Sequence, residues 1–461
     1  MVGIKRLLEN VLKKIEPLES EKKAEQRIAE QVIQKIRQME GKHVEVVLAG
    51  SVARDTHLKG DRDIDIFVLF PKELSREEFE KEGLRIGKSV FRGHEWEKAY
   101  SEHPYIRGII QGFEIEIVPS YKIKHPEEML SSVDRSIFHN SYLLKKISEK
   151  HRKEIRLLKQ FLKGIKCYGA EIGASSVPGY VAELLVLEFG SFLECLKAAR
   201  EFKKGTVIDI EKHLEEKTAG EKFGHHFIVV DPTDKDRNAA AALSYQQYAR
   251  LVAAARAFLE KPSIHFFFGK KTMPWKIEKV REMLSKTELA AIIMPYPKKA
   301  LPDIVQGQLK RLRKKIAKQL ELKEFRVKRS EDWTDEKELC AIIIEMENIS
   351  IQKIRMHFGP DVTDKKNSEI FLKQNKRIVS GPRIEHGRWV VEKQRRHWNA
   401  VTFLHDFLVK MKKETKQPLK KSLPKAHILE KKQLMKSYRE NREFAEFLTK
   451  YLGGKEEFLY Y

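Results

Sequence analysis

Two strand-like segments joined by a glycine turn limit the fold more than any other part of the sequence. Residues 44–48 are apolar enough for a strand and lead into a Gly-Ser turn at 50–51, and a second apolar segment covers 66–70. Asp63 and Asp65 open that second segment. Because side chains alternate along a strand, the two carboxylates point to the same face. The pattern predicts an α/β unit in which paired oxygen ligands face a turn of small residues.

Paired carboxylates beside such a turn suit metal-assisted phosphoryl chemistry. Mg²⁺ prefers oxygen ligands and is usually held by one or two carboxylates together with substrate phosphates. Two such ions can clamp the attacking and leaving oxygens of an in-line displacement. An Asp-x-Asp pair by itself is more typical of a charged strand end. We therefore expect Asp63 and Asp65 to bridge the ions only if a neighbouring strand supplies a third acid.

That third acid is predicted within residues 113–118, which alternate apolar and acidic side chains in the manner of a strand. Pro119 follows directly, and it predicts that the strand ends there. Glu116 is the preferred third ligand. Glu114 has the same parity along the strand and is the alternative.

The turn itself is predicted to bind a triphosphate. At Gly50 and Ser51 the small side chains let a polyphosphate approach the backbone, and the serine hydroxyl adds a donor. Arg54, three residues later, would neutralise the charge that develops on the leaving pyrophosphate.

Charge is distributed unevenly along the chain, whose formal net charge is +23. Residues 1–260 hold 44 Lys and Arg against 41 Asp and Glu, whereas residues 261–461 hold 46 against 26. A near-neutral front part that carries the acids, followed by a strongly basic rear part, indicates a catalytic region joined to a surface that binds nucleic acid. A Lys-rich surface of the kind found in heat-adapted proteins is the alternative explanation.

Cysteine usage and hydropathy indicate a cytoplasmic protein. Cys167, Cys195 and Cys340 are too widely separated to form a CxxC zinc pair or a disulfide framework. The first residues read as an amphipathic charged helix rather than a signal peptide, and no apolar run approaches the length of a membrane span. We therefore expect a reducing compartment and no membrane partner.

Behind the acidic strands the pattern becomes helical and then mixed. Residues 140–162 carry one apolar helical face, and the apolar run at 180–193 predicts a single buried helix. The helix predicted at 309–320 is strongly basic. We assign RNA binding to three of its cations, which are Arg311, Lys314 and Lys315.

In chain order these motifs resemble the nucleotidyltransferase superfamily shared by DNA polymerase β and the poly(A) polymerases. They resemble more closely the archaeal class I CCA-adding enzymes, which are tRNA nucleotidyltransferases. The segments that carry the resemblance are 50–54 (Gly-Ser-Val-Ala-Arg), 63–65 (Asp-Ile-Asp), 116–121 (Glu-Ile-Val-Pro-Ser-Tyr), 133–139, 157–159 (Leu-Leu-Lys), 168–171 (Tyr-Gly-Ala-Glu), 231–238 and 302–309.

The resemblance implies an α+β multidomain molecule with a polymerase β-like palm as its head, a helical neck, and a mixed α/β body and tail. We place the head in residues 1–138, the neck in 139–262, and the RNA-binding body and tail in 263–461. The implied reaction adds C, C and A to the 3′ end of tRNA from CTP and ATP without a nucleic-acid template. The rear parts would grip the acceptor and TΨC arms.

The resemblance also implies roles for individual residues. Asp63 and Asp65 would hold metal. Arg237 would help to read the incoming base together with the tRNA backbone. The family more often has Asp than Glu at the third ligand, so Glu116, one methylene longer, is a departure. The remaining residues implied in nucleotide binding are Ser51, Arg54, His139, Lys159 and Tyr168.

Two other functions stay open. The first is a poly(A)-type or oligoadenylate-type transferase that acts on other RNAs with the same chemistry. The second is a tRNA-binding relative that kept the fold without activity. The oligomeric state is also open, with a homodimer as one expectation.

Overall fold

The computed structural model describes residues 2–41, 43–61, 63–100, 102–169, 175–298, 300 and 302–460, except for the side chains of Val2, Asp303 and Tyr460. Two compact units result, Met1–Lys270 together with Glu456–Tyr461, and Lys271–Lys455. The boundaries expected at 139 and 263 stay predictions. In the part of the chain that is described, no helix is both long and apolar enough to cross a membrane.

The first unit begins with a mixed sheet and the helices that flank it. The helices are α1 (Val2–Ile15), α2 (Glu19–Glu40), α3 (Gly50–Ala53) and α4 (Arg76–Val90). The strands are β1 (Glu45–Ala49), β2 (Asp63–Pro71), β3 (Trp96–Tyr100), β4 (Pro104–Ile110) and β5 (Phe113–Lys122). Their order is β1-β2-β5-β4-β3. Within it β2 and β5 run parallel, and the other neighbours run antiparallel.

Alternation along β2 and β5 separates an apolar face from an acidic one. Ile64 and Ile66 of β2 and Ile115 and Ile117 of β5 are buried in one core with apolar residues of α2 and α4. The residues between them therefore point to the opposite face of the sheet. This is how burying one face presents the carboxylates on the other.

The prediction that the third strand ends at proline is wrong. β5 continues through Pro119, which pairs with Val68, and runs on to Lys122. The antiparallel partner β4 pairs with β5 only as far as Ile117. Proline is tolerated there because β5 has a neighbour on one side only, as at the edge of a sheet.

The remainder of the first unit is mainly helical, with a small sheet in the order β6-β7-β8. Apolar residues of α1 belong to the same core as this helical region. The elements are α5 (Arg135–Lys146), α6 (Glu149–Gly164), α7 (Gly179–Phe189), α8 (Phe192–Glu201), β6 (Thr206–Ile208), α9 (Glu216–Phe223), β7 (Phe227–Asp231), β8 (Asp234–Asn238), α10 (Tyr245–Glu260) and α11 (His265–Phe268).

The single helix predicted over 180–193 is two helices. α7 ends at Phe189 and is followed by Gly190, whose φ of 79° is left-handed, and α8 begins after Ser191. A glycine in this conformation is a common helix stop because it carries no Cβ. The hydrophobic run hides the break, since both helices are buried in the same core.

The second unit contains two further sheets, in the orders β10-β11-β9-β15 and β12-β14-β13. The basic helix predicted at 309–320 is present and begins earlier, at Pro302. The elements are α12 (Ile277–Ser285), β9 (Glu288–Pro295), α13 (Pro302–Glu321), β10 (Val327–Thr334), β11 (Leu339–Met346), β12 (Ile354–Asp361), α14 (Lys365–Gln374), β13 (Ser380–Glu385), β14 (Arg388–Gln394), α15 (Ala400–Glu414), β15 (His427–Leu429), α16 (Lys431–Glu440) and α17 (Arg442–Gly453). Together the two units confirm the predicted α+β multidomain class.

Candidate active site

The acidic residues lie side by side on the face of the sheet away from its main core. The parallel register sets Asp65 of β2 opposite Glu116 of β5, and Asp63 opposite Glu114. Asp63 is the first residue of β2 and is exposed. The strand alternation predicted from the sequence therefore aligns the acids in two rows.

The glycine of the turn allows the backbone to pack against one of these acids. Gly50 begins α3 with a φ of 73°, in the left-handed region. A Cβ at this position would lie 1.8 Å from Asp65 Oδ2. Only glycine fits, because any side chain would collide with the carboxylate and strain the backbone.

A cavity of about 380 Å³ opens over these residues. It brings together five of the predicted site residues, which are Gly50, Arg54, Asp65, Glu116 and His139. The other lining residues are Ala49, Phe67, Tyr105, Val118, Ser132, Val133, Ser136 and Tyr180. The predicted residues that do not line it are Ser51, Asp63, Lys159, Tyr168 and Arg237.

The two carboxylates in the cavity have too little positive charge nearby to stabilise their ionised forms. Burial raises the pKa of Asp65 to about 6, and the Asp63 charge adds to this while Arg54 opposes it. Burial, followed by the Asp65 charge, raises the pKa of Glu116 to about 7. A hard divalent cation would relieve this crowding, so the donor set fits Mg²⁺.

The full set of three carboxylates is not preassembled around a common point. Within the described ranges, no group of three or more His, Cys, Asp and Glu side chains is arranged to hold a metal ion. Asp65 and Glu116 share the cavity, whereas Asp63 lies outside its lining. The three-ligand metal site stays a prediction.

The two glutamates of β5, Glu116 and Glu114, have different surroundings. Glu116 lines the cavity and accepts a hydrogen bond from the Tyr105 hydroxyl at 3.2 Å. Glu114 lies 3.4 Å from the Arg107 guanidinium and is outside the lining. This arrangement favours Glu116 as the ligand.

Among the described residues that line the cavity, Arg54 is the only Lys or Arg. Its Nε donates to Glu183 Oε2 at 3.0 Å, and its Nη1 donates to Asn140 Oδ1 at 2.8 Å. Both partners belong to the helical region. The sheet turn supplies the cation, and the helices orient it.

Lys159 occupies a different environment from the one expected. Its side chain is 3% exposed, and its ammonium donates to Glu183 Oε1 at 2.7 Å and to the Thr56 carbonyl at 3.2 Å. Lys159 therefore lies behind Arg54 rather than at the cavity wall. Its nucleotide contact stays a prediction that the geometry does not favour.

The helical side of the cavity is organised by Asp231, whose side chain is fully buried. Its Oδ2 lies 2.7 Å from His139 Nε2 and accepts from Arg237 Nη1, also at 2.7 Å. Its Oδ1 accepts from the Tyr180 hydroxyl at 3.1 Å. Burial disfavours the charged Asp231 carboxylate, but the hydrogen bond and charge of His139 and the charge of Arg237 hold its pKa below the usual value.

His139 and Tyr180 form a stacked pair at the cavity wall. Their ring centroids are 3.7 Å apart, and the planes differ by 15°. Burial lowers the pKa of His139, although the hydrogen bond to Asp231 opposes that shift. Arg237 is 34% exposed and shares the same aspartate, so all three side chains are fixed relative to one another.

Two predicted residues remain apart from this wall. Ser51 lies in α3, where its carbonyl accepts from the Thr56 amide. Tyr168 is half-buried beside Gly179, and its neighbours Ala170 and Glu171 lie outside the described residues. Their nucleotide contacts stay predictions.

In the second unit, the three predicted RNA-binding cations lie on one exposed stretch of α13. Arg311, Lys314 and Lys315 are all exposed, while Leu312 and Ile316 on the same helix are buried. Lys315 forms an ion pair with Glu414 at 2.6 Å. The other two cations face solvent.

Sequence reasoning missed Glu183, Tyr180 and the role of Asp231 as a common acceptor. Glu183 did carry a signal, because it is an acid in the middle of the apolar run of α7 and is most easily buried opposite a cation. Tyr180 carried none, since an aromatic residue at that place reads as core.

Three family models match successive parts of the chain. A nucleotidyltransferase domain matches residues 29–155, and the second domain of tRNA nucleotidyltransferase matches residues 153–268. The C-terminal domain of the CCA-adding enzyme matches residues 286–431. The order of these matches follows the chain from the sheet to the basic region.

Curated relatives match over most of their length. The CCA-adding enzyme of Archaeoglobus fulgidus is 38% identical over 390 residues, which cover 84% of this chain and 85% of the relative. That of Pyrococcus abyssi is 37% identical, covering 77% and 80%, and that of Methanocaldococcus jannaschii is 35% identical, covering 81% and 85%. The chain therefore belongs to the archaeal CCA-adding enzyme family, within the nucleotidyltransferase superfamily.

Proposed function

We propose that this chain adds C, C and A stepwise to the 3′ end of tRNA, using CTP and ATP without a nucleic-acid template and releasing pyrophosphate. One observation supports this most strongly. Asp65 and Glu116 are register partners in a cavity that is also lined by the turn glycine Gly50 and by the guanidinium-bearing Arg54. Family membership then favours tRNA as the acceptor.

The sheet side of the cavity would bind the triphosphate. Gly50 lets the polyphosphate approach the backbone, and Arg54 offers the guanidinium that favours charge on the departing pyrophosphate. Asp65 and Glu116, joined by Asp63, are the residues that would hold Mg²⁺. When bound, Mg²⁺ would polarise the phosphoryl oxygens and favour the ionised form of the attacking 3′-hydroxyl.

The helical side would select the base. Tyr180 and His139 present a stacked aromatic surface at the cavity wall. Arg237 lies beside it on the shared Asp231. Because Asp231 fixes these side chains together, a base placed against them meets donors in set positions, which is a requirement for discrimination between CTP and ATP.

The basic second unit would grip the tRNA. Recognition of a folded RNA without sequence reading depends on phosphate and 2′-hydroxyl contacts. Arg311 and Lys314 are exposed on α13 and suit the acceptor and TΨC arms. Mg²⁺ as the resident ion, a homodimer and a cytoplasmic location are expectations of the same proposal.

One assay separates this function from its rivals. The protein is incubated with tRNA that lacks the 3′ CCA, Mg²⁺, labelled CTP and ATP, and the products are sequenced at the 3′ end. We expect incorporation to stop after CCA, with no addition to tRNA that already ends in CCA. Runs of A without C would support the poly(A)-type rival, and tRNA binding without incorporation would support the inactive one.

A further inference from the structure

A single buried carboxylate joins the sheet turn to the helical region behind the cavity. Glu183 of α7 has no exposed surface. Its Oε2 accepts from Arg54, while its Oε1 accepts from Lys159 and from the Thr56 hydroxyl at 2.5 Å. Three donor side chains from two segments of the chain therefore meet at the two oxygens of one carboxylate.

Two of the three donors come from the segment that directly follows α3, beside the cavity. Arg54 lines the cavity, and Thr56 follows two residues later in the chain. Hydrogen bonds from Nε to Glu183 and from Nη1 to Asn140 fix the plane of the Arg54 guanidinium. A guanidinium that is held at one edge can present only its remaining donors to a phosphate.

We infer that Glu183 is a positioning residue for nucleotidyl transfer, acting through Arg54. Its carboxylate holds the guanidinium in the orientation that meets the charge of the departing pyrophosphate. The inference rests on the proposed function, because it assigns Glu183 to the same reaction.

Lys159 completes this arrangement from behind. Burial disfavours the ionised carboxylate of Glu183, but the charges of Lys159 and Arg54 lower its pKa to about 2. The ammonium of Lys159 therefore favours the charged form of Glu183, although the carboxylate is fully buried. A lysine that the family resemblance predicts in nucleotide binding instead contacts the positioning carboxylate in this structure.

An amide cannot replace this carboxylate. A carboxylate accepts at both oxygens, so it serves Arg54 on one side and Lys159 with Thr56 on the other. Glutamine accepts at one side and donates at the other. Whichever way the amide of Glu183→Gln is turned, one of the two cations faces another donor and is released.

The test compares steady-state CTP incorporation by wild type, Glu183→Gln and Glu183→Asp. We expect kcat of Glu183→Gln to fall by about 100-fold, since small misplacements of a charged group at a reacting centre have effects of that size. KM for CTP should stay within about threefold, because loss of a negative charge near the triphosphate offsets weaker positioning. Glu183→Asp keeps the charge with a shorter reach and should lie between. The exposed Glu188→Gln on the same helix is the control.

A double-mutant cycle separates positioning from a structural role. In the Arg54→Ala background, Glu183→Gln should change kcat by less than about twofold, because the group that it orients is gone. A full additional loss, or a rise in KM with kcat unchanged, would overturn the inference. If Glu183→Gln does not fold, as judged by thermal unfolding, Glu183→Asp takes its place in the cycle with the same expectations.

The failure of the inference is distinguishable from failure of the proposed function. If wild type does not incorporate CTP into tRNA that lacks CCA, the function itself is wrong. If wild type is active and Glu183→Gln has normal kcat, only the inference about Glu183 is wrong.

Discussion

The pKa values of buried acids shift in opposite directions on the two sides of the cavity. On the sheet side, burial and like charges raise the pKa of Asp65 and Glu116 to about 6 and about 7. On the helical side, Glu183 and Asp231 have no exposed surface, yet neighbouring cations and hydrogen bonds hold their pKa values below the ordinary range. The direction of the pKa shift therefore depends on the charged and hydrogen-bonding partners of each acid, and not on how deeply the acid is buried.

This contrast indicates two jobs. An acid surrounded by fixed cations is already neutralised, so it can orient those cations but has little charge left for a ligand. An acid crowded against another acid lacks a counter-charge and gains from a cation that arrives with the substrate. The sheet is thus arranged to receive charge, and the helices are arranged to hold it in place.

The largest expected effect comes from neutralising the sheet acids. Asp65→Asn and Glu116→Gln should each lower kcat by about a thousandfold, since each removes a ligand for the charge that drives the reaction. Thermal stability should be unchanged or higher, because an amide relieves the repulsion. Glu114→Gln, on the same strand but outside the cavity, should stay within about threefold of wild type. Unfolding of both active-site variants would instead give these acids a structural role.

Replacing a buried carboxylate by an amide on the helical side should instead destabilise the fold. Asp231→Asn leaves His139 and Arg237 without their shared anion, and breaking a buried pair in this way costs about 3 kcal/mol. Urea denaturation of the two variants Asp231→Asn and Asp65→Asn would measure the contrast directly. Equal stabilities for the two would remove the distinction drawn above.

For the cations that form no ion pair with a buried acid, the property measured is tRNA affinity. Reversing the charges of Arg311, Lys314 and Lys315 should weaken tRNA binding by tens of times at low salt. The slope of log affinity against log salt concentration should become shallower by about three units if all three cations contact phosphates. It should become shallower by about two units if the ion pair with Glu414 keeps Lys315 from contacting a phosphate. Filter binding over a salt series tests this, with Lys197→Glu on α8 as control. An unchanged slope would place the RNA elsewhere.

The smallest effect should come from a cation that Asp231 does hold. Arg237→Ala should alter the ratio of kcat/KM for CTP to kcat/KM for ATP by about tenfold. The overall rate of nucleotide addition should change less. Addition to tRNA ending in C and in CC, measured with each nucleotide alone, gives the ratio. An equal loss with both nucleotides would count against base reading.

The sheet side could be predicted from the sequence because its geometry is local. Alternation along two strands places Asp65 and Glu116 on one face, and Gly50 precedes them at a turn that tolerates no side chain. The end of β5 could not be predicted, since it depends on β4 stopping short of Pro119. That is a property of the sheet order and not of the strand.

The helical side could not be predicted because its partners are far apart in the chain. Thr56 and Glu183 are separated by 127 positions, and His139 and Asp231 by 92. Lys159 was placed in the nucleotide site by family resemblance, and nothing in its own helix indicates that a glutamate from α7 accepts from its ammonium. Charge partners of this kind appear only when the helices are packed.

The central claim is that Asp65 and Glu116 together receive a divalent cation, and Mg²⁺-dependent thermal stabilisation tests it most directly. Native carboxylates with raised pKa values bind protons more tightly than unfolded ones, so their contribution to stability falls as pH rises from about 4 to about 7. Added Mg²⁺ should restore that loss. We therefore expect Mg²⁺ to raise Tm clearly at about pH 8 and hardly at about pH 5, and to have no such effect on the Asp65→Asn/Glu116→Gln double variant. An equal Mg²⁺ effect at both pH values, or one that persists in the double variant, would contradict the claim.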